Sequence, residues 1–384
     1  VVLLLRKLTG LILSLALISF FKFPARAELS TSAKSAILVH ADTGTVLYEK
    51  NADEHMLIAS TTKIMTAIVV LEHCELDDTV EVDARSAGIE GSSMYIKAGE
   101  TYTVEELLYG LLLVSGNDAA SALALHVSEN IEDFAALMNE KAAELGMTES
   151  SFKNAHGLDE DGHYSTARDM AKLAAYCMEN EDFARIAGTM SHTVGEQTLV
   201  NHNRLLREYE GCIGLKTGYT MAAGRALVSC AERDGARYVC VTLNDPDDWD
   251  DHKALYDWAF ANYSFAEVIP AGLSHEVPVI SGAESSAVAQ TEGSARALIK
   301  NGESYTTRFE LPSFVFAPID EGESAGRAVA CMGEREIASV RMVYSEEIPV
   351  EDGLALSPGE RFLQFWLMSG CGSPFYLDEG RVEA

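Results

Sequence analysis

IASTTKIMTA, residues 58–67, sets the hydroxyl of Ser60 three positions before the amine of Lys63 and runs on into apolar residues at helical spacing, Ile64, Ala67, Ile68 and Leu71. The pattern predicts a helix from near Ser60 to about Glu72. Positions i and i+3 share a helix face, so the amine can reach the hydroxyl. A serine at a helix start is usually a cap, and Ser-x-x-Lys arises by chance in many chains. The pair has chemical meaning only if the amine is neutral, which needs burial or a neighbouring cation.

Working outward, KSAILVHADTGTVLYEK (34–50) predicts two strands around Asp42-Thr43-Gly44, opening an antiparallel sheet. Helical periodicity dominates from Thr103 to Gly146, starting with Thr103-Val104-Glu105-Glu106, where hydroxyl and carboxylate can cap each other's backbone N–H groups. Ser115-Gly116-Asn117-Asp118 interrupts that block; such residues break helices, which places the run at a turn between two of them. A further helix is expected over Ala167–Met178. Strands follow in HTVGEQTLVN (192–201), then RALVSCAE (225–232) and RYVCVTLN (237–244) about a two-residue Asp234-Gly235 turn. In that register Cys230 faces Val239, Cys240 faces Ser229, and the two sulfurs lie on opposite faces of the sheet. A helix from about Asp250 to Tyr263 closes this part. From 265 to 348 short runs such as HEVPVI, YTTRFEL and ASVRMVY predict a small all-β domain.

The ends are of a different kind. Arg6 and Lys7 precede an apolar run from Leu11 to Phe21, and Ala25-Arg26-Ala27 is a small-residue cleavage site, so residues 1–27 are expected to be a secretory signal and the chain to act outside the cytoplasm. The tail, 349–384, contains RFLQFWLM (361–368), a short amphipathic segment open to a peripheral membrane contact or to simple packing.

The formal net charge is -30, and loss of the leader with Arg6, Lys7, Lys22 and Arg26 takes it to -34. So acidic a surface speaks against nucleic acid and against a polybasic membrane contact. Seven cysteines, an odd number, widely scattered and with no Cys-x-x-Cys, speak against a disulfide framework or a structural metal site.

A third short run, Lys216-Thr217-Gly218 in GCIGLKTGYT, lies just before the predicted strand pair. Taken singly, Ser115, Asn117 and this run read as a turn, a cap and another turn. Together with Ser60 and Lys63 they match the Ser-x-x-Lys, Ser-x-Asn, Lys-Thr-Gly set of penicillin-binding proteins. IASTTKIMTA, LLVSGNDAA, FKNAHGLDEDGHYSTARDMAKLA and GLKTGYTMAAGRALVSCAERDG resemble the low-molecular-mass D-alanyl-D-alanine carboxypeptidases over about residues 30–265.

The resemblance implies an α+β fold, an antiparallel sheet flanked by helices with a helical subdomain, spanning a catalytic domain at 28–264. It implies Ser60 as nucleophile, Lys63 as its base and Ser115 as proton relay to the leaving amine. Asn117 would hold a substrate amide and Lys216 and Thr217 the terminal carboxylate, with Gly218 and Tyr219 also substrate-binding and the N–H groups of Ser60 and Tyr219 facing the oxyanion. The implied partners are a peptidoglycan stem peptide ending in D-Ala-D-Ala and, as covalent inhibitors, β-lactams; no cofactor or metal is required. A β-lactamase, a D,D-endopeptidase and an inert wall-binding protein are the alternatives. The Glu-x-x-Leu-Asn loop of class A β-lactamases is not found after Asn117, and many relatives carry an arginine after the second hairpin strand where LNDPDDWDDHK (243–253) has none. His156 and His163 are expected to organise a loop, and Cys212 to pack in a turn.

Overall fold

Every side chain of strand β1 (Ser35–His40) is buried, as in a strand covered on both faces. The structure, a computed structural model, describes residues 29–351, Gly359 and Val382–Glu383. The expected leader and the segment 361–368 lie outside the described residues. β1 pairs antiparallel with β2 (Val46–Lys50), and the sheet is completed by β3 (Cys212–Thr220), β4 (Gly224–Arg233) and β5 (Ala236–Leu243) in the order β2-β1-β5-β4-β3.

Alternation along the strands feeds two apolar layers. Ile37, Val39, Val228, Cys230, Val239 and Val241 join one core. Leu38, Leu227, Ala231, Tyr238 and Cys240 join another, against Leu255, Tyr256 and Ala259. The β4–β5 register pairs Ser229 with Cys240 and Cys230 with Val239, as the sequence predicts. Asp234 and Gly235 both take positive φ, 52° and 74°, the backbone that a two-residue turn matching the strand twist requires.

Helices α1 (Lys63–His73), α2 (Val104–Leu113), α3 (Asn117–Val127), α4 (Ile131–Glu144) and α5 (Ala167–Cys177) contribute to the first core, and α6 (Asp248–Asn262) covers the opposite face. α2 starts with the expected reciprocal cap: Glu106 N–H donates to Thr103 Oγ1 at 3.1 Å and Thr103 N–H to Glu106 Oε2 at 2.8 Å. α2 and α3 are separated by Ser115, whose φ of 61° ends the first helix.

Two expectations shift. The helix expected from Ser60 opens as a tight turn over Ala59–Thr62, because the Thr61 and Thr62 hydroxyls donate to the carbonyls of Ile58 and Ala59, three residues back, and hold the chain in the narrower geometry. Lys216-Thr217-Gly218 lies inside β3 rather than before the strand pair, held there by its pairing with Val228, Leu227 and Ala226 of β4. From Tyr263–Ile269 to Arg335–Tyr344 every regular element is a strand, and the region has its own apolar cluster including Ile269, Val277, Ala328, Met342 and Tyr344.

Candidate active site

Ser60 sits on a turn that its neighbours over-determine. Ala59 has a positive φ of 47°, unusual for a residue with a Cβ, and its carbonyl accepts the Thr62 hydroxyl at 2.8 Å. His163 fixes that hydroxyl in turn. Its Nδ1 accepts the Lys153 N–H at 3.1 Å, so the proton lies on Nε2, which donates to Thr62 Oγ1 at 2.8 Å. Gly157 packs onto Ala59 so closely that a Cβ there would stand 2.0 Å from the Ala59 oxygen. His156 Nδ1 accepts the Leu158 N–H at 3.2 Å. Both histidines are therefore loop-organising groups, and burial pushes both down to about 4.

Lys63 is fully buried, and its Nζ has three neighbours: Ser60 Oγ at 3.0 Å, Asn117 Oδ1 at 2.6 Å and the His156 carbonyl at 2.6 Å. Asn117 cannot be turned round, because its Nδ2 donates to the Glu90 carbonyl at 2.6 Å. Burial, and secondarily the charge of Lys216, push the Lys63 amine well below its usual range, while Asp118 opposes the shift. A neutral amine has two N–H groups and one lone pair. Asn117 Oδ1 and the His156 carbonyl can only accept, so each engages a hydrogen of the amine, and in the neutral form the lone pair is then left for the Ser60 hydroxyl.

Asn117 is positioned by the start of α3, where its backbone N–H donates to Ser92 O at 2.8 Å. The next residue, Asp118, is buried and receives Ser93 Oγ at 2.6 Å, Met94 N–H at 2.9 Å and Ile96 N–H at 3.2 Å, pinning segment 93–96 across the helix start. From the other side β3 presses in. At Gly218 a Cβ would lie 3.1 Å from both Ile58 O and Ser60 N, so glycine lets the strand backbone approach the serine turn. Thr220 Oγ1 donates to Asp159 Oδ1 at 3.0 Å and ties the strand's end to the histidine loop. Lys216 is buried, donates to the Thr217 carbonyl at 2.9 Å, and is pushed down to about 7 by burial.

One cleft results, lined by Ser60, Ser115, Thr217, Gly218 and Tyr219 among the residues singled out from sequence, with Lys63 and Asn117 contacting one another behind Ser60. It is also lined by Ser92, His202, Arg225, Asp248 and Trp249. None of these five stands out by residue type or spacing in the sequence. Cys212, pushed up to about 11 by burial, packs against the second core, and its Sγ lies 3.4 Å from the Gly214 carbonyl. Among the described residues the donor atoms of Cys74, Asp78 and His126 lie within 4.8 Å of one another, near the far end of α1 from Ser60.

A profile of the D-alanyl-D-alanine carboxypeptidases, peptidase family S11, matches residues 22–247. The chain belongs to this family. It is similar to D-alanyl-D-alanine carboxypeptidase DacF of Bacillus subtilis, 35% identical over 320 residues, covering 79% of this chain and 82% of the relative. It is also similar to DacB2 of Mycobacterium tuberculosis, 39% identical over 241 residues, 60% of this chain and 82% of the relative. Among solved structures, penicillin-binding protein 5 of Haemophilus influenzae superposes with a TM-score of 0.69 at 28% identity, over 83% of this chain and 98% of that one. The regulatory factor PBP3 of Streptococcus pneumoniae gives 0.71 at 26% identity, over 83% and 100%. The protein is thus a serine-type D-Ala-D-Ala carboxypeptidase, a hydrolase with the mixed fold of the low-molecular-mass penicillin-binding proteins. Among the described residues no helix is long and apolar enough to cross a membrane.

Proposed function

We propose that this carboxypeptidase is exported and trims the terminal D-alanine from peptidoglycan stem peptides through an ester on Ser60. Ser60 Oγ attacks the carbonyl carbon of the D-Ala-D-Ala bond as Lys63 Nζ takes its proton. The N–H groups of Ser60 and Tyr219 face the oxygen that becomes negative. The C–N bond then breaks, the departing D-alanine amine gains a proton relayed through Ser115, and water cleaves the ester to return Ser60 to its starting state. Asn117 keeps one Nδ2 hydrogen for a substrate carbonyl, since the other is held by Glu90. Lys216 and Thr217 receive the terminal carboxylate. With a β-lactam the same attack opens the ring, but the leaving amine stays tethered and blocks water, so the ester persists.

The observation that carries this reading is the environment of Lys63: a buried amine held by two fixed acceptors, whose third contact is the Ser60 hydroxyl. The test is release of free D-alanine from an N-acylated peptide ending in D-Ala-D-Ala. Release that disappears in Ser60→Ala supports the reading. A folded wild-type protein that releases none, while cutting cross-linked dimers, would favour the endopeptidase alternative.

A further inference from the structure

Helices α1 (Lys63–His73) and α3 (Asn117–Val127) have 11 residues each, and their first residues are joined by the bond from Lys63 Nζ to Asn117 Oδ1 at 2.6 Å. At the opposite end, Cys74, which caps α1, and His126, next to last in α3, bring a sulfur and a ring nitrogen within 4.8 Å of each other. The two helices therefore run in the same direction, and both negative dipole ends lie together where a cation is favoured. Asp78 brings a carboxylate oxygen within the same 4.8 Å. Its turn is fixed: the Asp78 N–H donates to Glu75 O at 3.2 Å, and Asp78 O accepts the Val104 N–H at 3.0 Å where α2 starts. Asp78 Oδ2 accepts the Glu75 N–H at 2.9 Å, which orients the carboxylate and leaves Oδ1 available. Among the described residues neither the Cys74 thiol nor the His126 imidazole has a hydrogen bond. Three unspent donor atoms from three anchored segments thus converge on one point.

We propose that Cys74, Asp78 and His126 form a zinc site that staples α1 to α3 at the end of the pair opposite the Lys63–Asn117 bond. One sulfur, one imidazole nitrogen and one carboxylate oxygen are a donor set for zinc; calcium and magnesium take oxygen alone, and copper(I) takes sulfur-rich sets. A tetrahedral zinc shell sets such donors about 3.3–3.8 Å apart, and His126, exposed at the end of its helix, can turn inward to close the remaining distance. Water fills the fourth position. Burial and the Asp78 charge hold the Cys74 thiol in its protonated form; zinc forms a bond to sulfur and the thiol proton passes to solvent. The net charge of -30 draws cations to the surface. Sequence gives no metal motif here because Cys74 and Asp78 stand three residues apart while His126 comes from a distant helix. The staple ties the three helices packed behind the nucleophile and stabilises them without touching the cleft.

The experiment uses the full chain, stripped with a chelator and kept reduced. It is titrated with Zn²⁺ against a chromophoric competitor, titrated separately with Co²⁺ and followed by absorbance, and unfolded by heat with and without Zn²⁺. The expected result is one zinc per chain, a cobalt complex with a thiolate charge-transfer band and the visible bands of tetrahedral coordination, and an unfolding midpoint that rises with zinc. Loss of a group that merely supports a ligand costs about 10- to 100-fold in metal affinity, so Cys74→Ser and His126→Ala should each weaken zinc by at least about 100-fold and abolish the zinc-dependent rise. Should Cys74→Ser fail to fold, His126→Ala, at an exposed position, decides. Absence of stoichiometric zinc binding by the wild type overturns the assignment. So does a cobalt complex without the thiolate band, or wild-type zinc affinity in both variants. Zinc that is lost in Cys371→Ser but kept in Cys74→Ser would place the ion elsewhere and overturn it as well.

Discussion

Gly157→Ala tests whether the histidine loop sets the position of the nucleophile. Gly157 has a φ of +84°, and a Cβ there would lie 2.0 Å from Ala59 O, 2.6 Å from Ala59 C and 2.8 Å from Thr62 Oγ1. The first two are backbone atoms and cannot rotate away. An L-residue held in the left-handed region costs about 1–2 kcal/mol, and forcing a methyl into packed backbone about 1–3 kcal/mol more, so the loss of stability should be about 2–5 kcal/mol. The damage falls on both partners of the reacting pair. Ala59 precedes Ser60, and His156, whose carbonyl holds Lys63, precedes Gly157. A shift of about 1 Å between reacting groups costs on the order of 100-fold in rate. Urea unfolding gives the stability, and stopped-flow acylation with a fluorescent penicillin gives the rate. Gly44→Ala is the control: its φ is +65° with nothing within 4 Å of the added carbon, so it carries the backbone cost alone and should leave acylation untouched. A Gly157→Ala protein no less stable than Gly44→Ala, and acylated at the wild-type rate, would show that the loop yields freely and does not position Ser60.

Asn117→Ala removes one of the two acceptors that orient the Lys63 amine and should slow acylation about 10- to 100-fold with little change in the far-ultraviolet circular dichroism spectrum. Because Lys216 is lowered to about 7, kcat/KM for a carboxylate substrate should decline as pH rises through that value, the protonated form that attracts the anion being titrated away. Stability should depend on pH at the acid side. His252 is buried between Ser229 Oγ at 2.7 Å and Thr242 Oγ1 at 3.0 Å and is pushed down from 6.5 to about 3 by burial. Between those values only the unfolded chain binds the proton, so stability is fully present above 6.5 and falls as pH drops toward 3, by on the order of 4 kcal/mol. His156 and His163 act in the same direction. Denaturant midpoints followed from pH 7 to pH 4 read this slope, and His252→Phe should flatten it even though the two freed hydroxyls lower stability at neutral pH.

How much was legible in sequence depended on whether a feature was local. The β4–β5 register followed from Asp234-Gly235 because a two-residue turn dictates pairing, and the α2 cap followed from Thr103 and Glu106 because both bonds close within four residues. Ser60 and Lys63 were legible for the same reason. Lys216-Thr217-Gly218 was visible as a run but misplaced, since what keeps it in a strand is the pairing of Lys216 with Val228 and Gly218 with Ala226 in β4. The burial that lowers the Lys63 amine comes from α3, the histidine loop and β3, distant segments whose meeting no local pattern reports. Asp118 was noticed only as part of a helix break, because its three ligands in 93–96 form only once α3 meets that segment. Arg225 was hidden by its setting, one charged residue at the head of an apolar strand.

The most direct measurement is mass spectrometry of the protein after brief exposure to a penicillin, with peptide mapping of the adduct. One penicilloyl group per chain, on the peptide containing Ser60 and absent from both Ser60→Ala and Lys63→Ala, is the predicted result. An adduct on another residue, or undiminished labelling of Lys63→Ala, would contradict a Ser60 nucleophile activated by a neutral lysine.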